Sequence, residues 1–571
     1  MPIFSAMVSR LAFCFSLLFL SGCSLIGIHF NVHNPKRAGK PPELTEARRL
    51  LGEWSSARRC FDVKQYRLDI AIDPEKKELS GTVTIIAAAM NDFDTLQLDL
   101  YANMAIDKIS FEEKTPVFFR RANAVFVVLP RKIKTGERFS LIVQYHGNPA
   151  VARKPPWKGG TVWEKDKNGN PWLGVACQSE GAGLWFPCKD HLSDEADSTR
   201  IVLTVPKGLS AVSNGRFLGK TENEKQATWN WLVTHPINTY NITYYVGKLN
   251  LVQDTYQSKV TGQSLALNHY VLEGNETKAR THFQQLKKHL DFFERHFGPY
   301  PWYRDGYKLV ESPYAGMEHQ TAIAYGNGYE NDYQGFDYII LHETAHEWWG
   351  NSVTGFDLAE GWIHEGFASY AEALFVEETQ GRSAYVNYLE LQRLSIVNRR
   401  PILKPYGMRY FTYKDEDIYT KGSWTLHSLR AAIGNDELFF KWLKNFAVEN
   451  KEKFVRSQDV IFTVTRTTGK DLGWLFNQYL YSRFSPELEY AVKDGKLYFR
   501  WSERTNRDFA MPQRVLFSSG RELVIHPSDR VRAVELKGET VLSLPDTDYL
   551  VKIVENKKLV REYEEPEKTR P

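Results

Sequence analysis

The chain has 571 residues, and Lys+Arg 73 against Asp+Glu 69 leave a formal net charge of +4. So even a balance excludes a dedicated nucleic-acid binder, which needs a strongly basic face. Hydrophobic residues at 42% and charged residues at 25% exclude a disordered chain, and five cysteines are too few for a disulfide-built scaffold.

Leu11 to Leu20 is almost wholly apolar, follows Arg10, and gives way to Ser21-Gly22-Cys23. A spanning helix needs about 20 residues, so this shorter run reads as the core of a signal peptide over 1–22. Leu20-Ser21-Gly22-Cys23 resembles a bacterial lipobox. The resemblance implies lipidation of Cys23 and a protein held by lipid in the bacterial cell envelope, at the outer membrane or the periplasmic face. Residues 23–60 read as a polar tether followed by a short helical stretch from Leu44 to Arg59.

From 61 to 255 the period is two. Tyr66, Leu68, Ile70 and Ile72 alternate with polar residues, and Leu96, Leu98 and Leu100 repeat the pattern. This predicts an antiparallel β saddle or sandwich. Over 256–484 the pattern is mainly helical: Phe283, Leu286, Leu290, Phe293 and Phe297 share one helix face, and Gly298-Pro299 ends it. Strands return over 485–560, with Asp494-Gly495 as a hairpin turn, before a charged tail at 561–571. The predicted fold is therefore α+β and multidomain, with an N-terminal β domain, a mainly helical second domain and a small C-terminal β domain. Cys177 and Cys188 are a candidate bridge in an oxidising compartment.

The chemistry centres on His342-Glu343-Thr344-Ala345-His346. Histidines at i and i+4 of a helix share one face, so both imidazoles can reach one metal ion. Glu343 sits one step round, where a general base for a metal-activated water belongs. Glu365, nineteen residues beyond His346, is the candidate third ligand. Two histidines, one glutamate and a water make an open, catalytic zinc site. Glu372, seven residues after Glu365, falls on the same helix face and either orients a ligand imidazole or makes a surface salt bridge.

With Trp362-Ile363-His364-Glu365-Gly366 at the third ligand, this pattern resembles the gluzincin aminopeptidases of the aminopeptidase N and leukotriene hydrolase type. Three further segments carry the resemblance. Tyr314-Ala315-Gly316-Met317-Glu318-His319 resembles the family's Gly-x-Met-Glu-Asn exopeptidase motif, with Ala315 in place of its first glycine and His319 in place of its closing asparagine. Ile418-Tyr419-Thr420-Lys421-Gly422 resembles its Tyr-x-Lys-Gly segment. Gln178-Ser179-Glu180, followed by Phe186-Pro187-Cys188, resembles the N-terminal-domain loop that reaches the active site.

The resemblance implies a thermolysin-like catalytic domain with one Zn2+ per chain on His342, His346 and Glu365. It implies Glu343 as general base and Tyr419 as donor to the tetrahedral intermediate. Glu318 and Glu180 would hold a substrate's free α-ammonium, with Gln178, Gly316 and Met317 beside them, so that peptides lose their N-terminal residue. The family's large helical C-terminal domain is replaced here by strands beyond Phe484. Two other readings stay open: an endopeptidase would share the zinc site without needing Glu180 and Glu318, and a non-catalytic peptide binder would be expected to lack Glu343 or Tyr419.

Overall fold

The computed structural model describes residues 45–407 and 417–565. The signal peptide, Cys23 with its tether up to residue 44, and the end of the charged tail lie outside the described residues. Chain order begins with two short helices, Glu46–Gly52 and Ser56–Arg59, where the sequence suggests a single stretch. Arg58 is fully buried and pairs with Asp99 at 2.7 Å, which pins the second helix to the β domain.

The alternating residues of Phe61–Asp73 put Tyr66, Leu68, Ile70 and Ile72 on one buried face. That strand lies inside a seven-stranded sheet ordered Arg216–Glu222, Gln226–Val233, Ser198–Pro206, Phe61–Asp73, Glu78–Ala89, Arg138–Gly147, Met104–Ser110. Every neighbouring pair is antiparallel except Phe61–Asp73 with Ser198–Pro206, which runs parallel. A four-stranded, a three-stranded and a two-stranded sheet complete the β domain over one continuous apolar core.

The second sheet system starts earlier than the periodicity indicates. Leu249–Gln257 pairs with Ser264–Leu272, and this hairpin continues through Leu309–Glu311 and Ile323–Tyr325 to Gly316–Met317 at the edge. The change of body therefore falls before Leu249 rather than at 255, because alternation reveals a strand but not the sheet it joins. Helices follow, among them Leu286–Phe297, Tyr338–Ala345, Gly361–Gln380 and Thr420–Ile433. The last two touch backbone to backbone. A Cβ on Gly422 would lie 2.8 Å from the Gly366 Cα, and one on Gly366 would lie 2.9 Å from the Gly422 Cα.

Beyond Phe484 the strands form a four-stranded and a three-stranded sheet that share one apolar core with the helices. Asp494 and Gly495 both adopt positive φ, the geometry of a tight hairpin turn between Glu487–Lys493 and Lys496–Trp501. Part of the expected tail is instead a helix, Lys558–Glu564, whose Leu559 and Val560 pack with Ala491 and Tyr498. Cys177 and Cys188 are buried and not joined in a disulfide, so the candidate bridge is absent; the Cys177 thiol points at the Tyr240 carbonyl, 3.4 Å away. Among the described residues no helix is long and apolar enough to cross a membrane.

Candidate active site

The helix Tyr338–Ala345 begins where Asp337 accepts from the N–H groups of Ile339 and Ile340, and it is seated by buried Ile340, Leu341 and Ala345. His342 and Glu343 face a cleft, and His346 follows as the C-cap, still in right-handed helical backbone. The longer helix Gly361–Gln380 is buried over most of its length and presents Glu365 and Glu372 to the same cleft.

Three donor atoms converge there. The Nε2 atoms of His342 and His346 are 3.1 Å apart, and Glu365 Oε2 lies 3.5 and 3.3 Å from them. The partners on the far sides of the rings set the tautomers. His346 Nδ1 is 2.8 Å from the Trp349 carbonyl, and His342 Nδ1 is 2.5 Å from Glu372 Oε1. Carbonyl and carboxylate oxygens only accept, so each imidazole keeps a proton on Nδ1 and turns Nε2 inward, the nitrogen that gives its lone pair to a metal. Two lone pairs and a carboxylate without a proton between them repel unless a cation sits among them. The residues therefore fit a divalent metal, and two nitrogens with one oxygen and an open side suit zinc. Glu372 is itself fixed by a hydrogen bond from the Tyr388 hydroxyl.

Charge in the site follows from burial. Burial works to raise the Glu365 carboxyl, and the His346 and His342 imidazoles override it and hold it below the usual range. Burial works to lower His346, and Glu365 outweighs it, pushing His346 up to about 9. Burial pushes Glu343 up to about 8 against the pull of the two imidazoles. A carboxyl with raised proton affinity beside a metal site is suited to take up a proton and release it again. Gly316 makes room for it: a Cβ there would come 2.4 Å from Glu343 Oε1. The Tyr419 ring stacks over His342 at 6.1 Å and lines the cleft. The Gly366–Gly422 contact brings it there, since Tyr419 immediately precedes one helix and Glu365 immediately precedes Gly366 in the other.

Gln178, Met317 and Glu318 also line the cleft, with Ala315 and Gly316. Glu318 is buried, and its Oε1 accepts from Gln178 Nε2 at 2.7 Å and from the Tyr240 hydroxyl at 3.2 Å. Oxygens of Glu318 and Glu343 and a nitrogen of His346 lie within 4.8 Å of one another. Glu180 is elsewhere. Its carboxylate accepts from the Gly159 N–H at 2.8 Å and from the Ser179 hydroxyl, and it does not line the cleft. Of the two polar residues in that loop, the amide and not the carboxylate faces the site. His319 also leaves the wall: it is fully buried, with Nδ1 2.7 Å from the Tyr245 hydroxyl.

The cleft has a volume of about 290 Å³ and opens to solvent. Several residues that shape it carry no sequence signal. Tyr240 and Tyr388 are two tyrosines among 29, and Asn351 is distant in sequence from the Glu318 carbonyl it reaches at 2.8 Å.

Comparison with known proteins agrees with this geometry. Residues 63–241 match the Peptidase M1 N-terminal domain, and residues 281–479 match the Peptidase family M1 domain. Aminopeptidase B of Rattus norvegicus is 23% identical over 476 residues, covering 75% of this chain and 70% of the relative. Aminopeptidase N of Haemophilus influenzae is 22% identical over 453 residues, covering 75% and 50%. A solved two-domain M1 zinc metallopeptidase variant bound to L-tryptophan superposes with a TM-score of 0.65 at 25% identity, covering 75% of this chain and 96% of that one. An M1 zinc metallopeptidase from Deinococcus radiodurans, at 24% identity and a TM-score of 0.63, shares the fold. The chain belongs to the M1 peptidase family and is a zinc metallopeptidase of the aminopeptidase class.

Proposed function

We propose that this protein removes single N-terminal residues from peptides, with one zinc ion per chain on His342, His346 and Glu365. The observation that carries the reading is the convergence of Glu318, Glu343 and His346, whose carboxylate oxygens and ring nitrogen lie within 4.8 Å of one another. Within one amino acid the amine nitrogen and the carbonyl carbon are separated by two bonds, about 2.5 Å. An α-ammonium held by Glu318 thus leaves room for one residue before the metal. Zinc bound there supplies Lewis acidity, polarising the scissile carbonyl and making water a better nucleophile.

The protein's own groups do the rest. Gln178 and Tyr240 fix the Glu318 carboxylate, which takes the ammonium through charge-assisted hydrogen bonds. Met317 flanks the first side chain. Glu343 takes the proton from the attacking water and hands it to the departing nitrogen. The Tyr419 hydroxyl donates to the oxyanion as charge develops on it. Glu180, engaged with Gly159 and Ser179, braces the loop that carries Gln178.

The test is a matched pair of aminoacyl amides, one free and one N-acetylated, with and without a zinc chelator. Hydrogen bonds to a charged group contribute about 1.5–3 kcal/mol each, so acetylation should lower kcat/KM by on the order of 10² or more. Equal rates on the pair would sink the exopeptidase reading in favour of an endopeptidase. The proposal extends to location: the Cys23 segment supports a lipid-anchored protein of the bacterial envelope, at the outer membrane or periplasmic face.

A further inference from the structure

Among the described residues five carboxylates line the cleft, and four have work in the reading above: Glu318, Glu343, Glu365 and Glu372. Asp332 has none. It stands in the turn before the helix Tyr338–Ala345, and its position is fixed by the backbone. Its N–H donates to the Phe336 carbonyl at 2.8 Å, and the Gln334 N–H donates to its Oδ1, also at 2.8 Å. Among the described residues no lysine or arginine pairs with it, and none lines the cleft. Partial burial pushes its carboxyl up to about 6, and the nearby Glu372 adds to the effect. This is a carboxylate that a cation would relieve.

The direction of the substrate tells which side chain meets it. Glu318 holds the amine end, and Glu343 protonates the departing nitrogen, so the released chain runs away from Glu318 on the side of Glu343. One helical turn before Glu343, Tyr338 and Ile339 line the cleft, and Asp332 and Tyr333, from the turn that leads into this helix, line it with them. Tyr388, from the helix Arg382–Arg393, also lines the cleft and lies close enough to Asp332 for the two to interact electrostatically. Aromatic faces with one carboxylate at the end match a long apolar stem carrying a cationic head.

We propose that Asp332, with Tyr333 and Tyr388, forms a subsite that selects substrates with lysine or arginine immediately after the scissile bond. The inference rests on the aminopeptidase reading, whose Glu318 anchor sets the direction. Lysine there gains a charge-assisted contact with Asp332, norleucine keeps the stem without the charge, and glutamate is repelled.

The experiment compares alanyl-lysine, alanyl-norleucine and alanyl-glutamate amides on the zinc-loaded enzyme and its Asp332→Asn variant at pH 7.5. A one-residue alanyl fluorogenic amide, which carries no second side chain, serves as the reference for each enzyme. Wild type should favour lysine over norleucine by about tenfold in kcat/KM, the scale of one charge-assisted hydrogen bond, and should disfavour glutamate. In Asp332→Asn the lysine-to-norleucine ratio should fall close to one and the penalty on glutamate should shrink. A wild type without lysine preference, or a preference that survives in the variant, overturns the subsite. Failure to turn over the alanyl reference at all overturns the aminopeptidase reading instead, so the two failures are told apart.

Discussion

Asn351 ties the metal end of the site to the anchor end: its backbone N–H donates to the His346 carbonyl at 3.1 Å, and its Nδ2 donates to the Glu318 carbonyl at 2.8 Å. The N-terminal β domain holds this bridge in turn, since Asn241 Nδ2 donates to Asn351 Oδ1 at 2.7 Å. One buried residue thus links the segment that carries the imidazoles to the segment that carries Glu318.

Asn351→Asp keeps the shape and removes the donor to the Glu318 carbonyl. Misplacing a binding group by about 1 Å costs on the order of 10² in rate. The variant should therefore lose about 10- to 100-fold in kcat/KM on free-amine substrates while retaining its zinc. The free-to-acetylated ratio should narrow, which a general loss of folding would not produce. An unchanged ratio would show that the anchor is positioned by other contacts.

Glu343→Gln should leave the metal bound, because Glu343 is not among the three converging donors. General acid–base groups contribute about 10²–10⁴ in rate, so turnover should fall by that factor. Metal analysis beside kcat separates the roles: a variant that loses zinc would make Glu343 a ligand rather than the base.

Gly422→Ala should separate two helices that meet at Gly366. Overpacking in a buried contact costs about 1–3 kcal/mol, so the Tm should fall. The same push moves Tyr419 away from Glu365, so kcat should drop more than KM rises. Gly316→Ala makes a useful comparison, since its Cβ would strike the Glu343 carboxylate itself. An alanine variant at 422 with unchanged Tm and kcat would contradict the tight crossing.

Acid should destabilise the fold through histidines remote from the metal. Burial holds His269 and His289 down at about 3. Between that value and about 6.5 the unfolded chain binds protons that the folded one does not. Their contribution is therefore present above about 6.5 and lost as pH falls toward about 3. His289→Phe, among the neighbouring Phe336 and Phe375 rings, should reduce the slope of unfolding free energy against pH by up to about 1.4 kcal/mol per unit in this window. Identical slopes for variant and wild type would contradict the assignment.

Location is tested at Cys23. Stable anchoring takes more than one acyl chain, at about 0.8 kcal/mol per buried CH₂. Cys23→Ser should leave an unprocessed precursor or release the protein from membranes, read by mature mass and fractionation. An unchanged mass would remove lipidation.

The metal trio was legible in the sequence because helical spacing alone puts His342 and His346 on one face, and Glu365 follows on the next long helix. The hairpin at Asp494-Gly495 was legible for the same kind of reason, a local pairing of residue type with backbone geometry. Contacts made by separate segments were not. The sequence named Gln178 and Glu180 together, and nothing in it tells that Gln178 lines the cleft while the Glu180 carboxylate accepts from the Gly159 N–H. Asp332, Tyr388 and Asn351 reach the site from other segments, and nothing local marks them. The start of the second sheet at Leu249 was missed because a strand's partner, not its period, decides which body it belongs to.

The exopeptidase segment is gripped from both sides. Asn214 Nδ2 donates to the Gln320 carbonyl at 2.6 Å and the Gly215 N–H to the Thr321 hydroxyl at 2.7 Å, while Glu347 accepts from the Thr321 N–H at 2.8 Å. Met317 itself belongs to the apolar core of the β domain. The β domain is therefore part of the skeleton of the active site, and the helical half lacks a complete anchor without it. The two halves should melt as one cooperative unit, and any loosening of their interface registers first as lost discrimination for a free amino terminus, before the metal leaves or the fold opens.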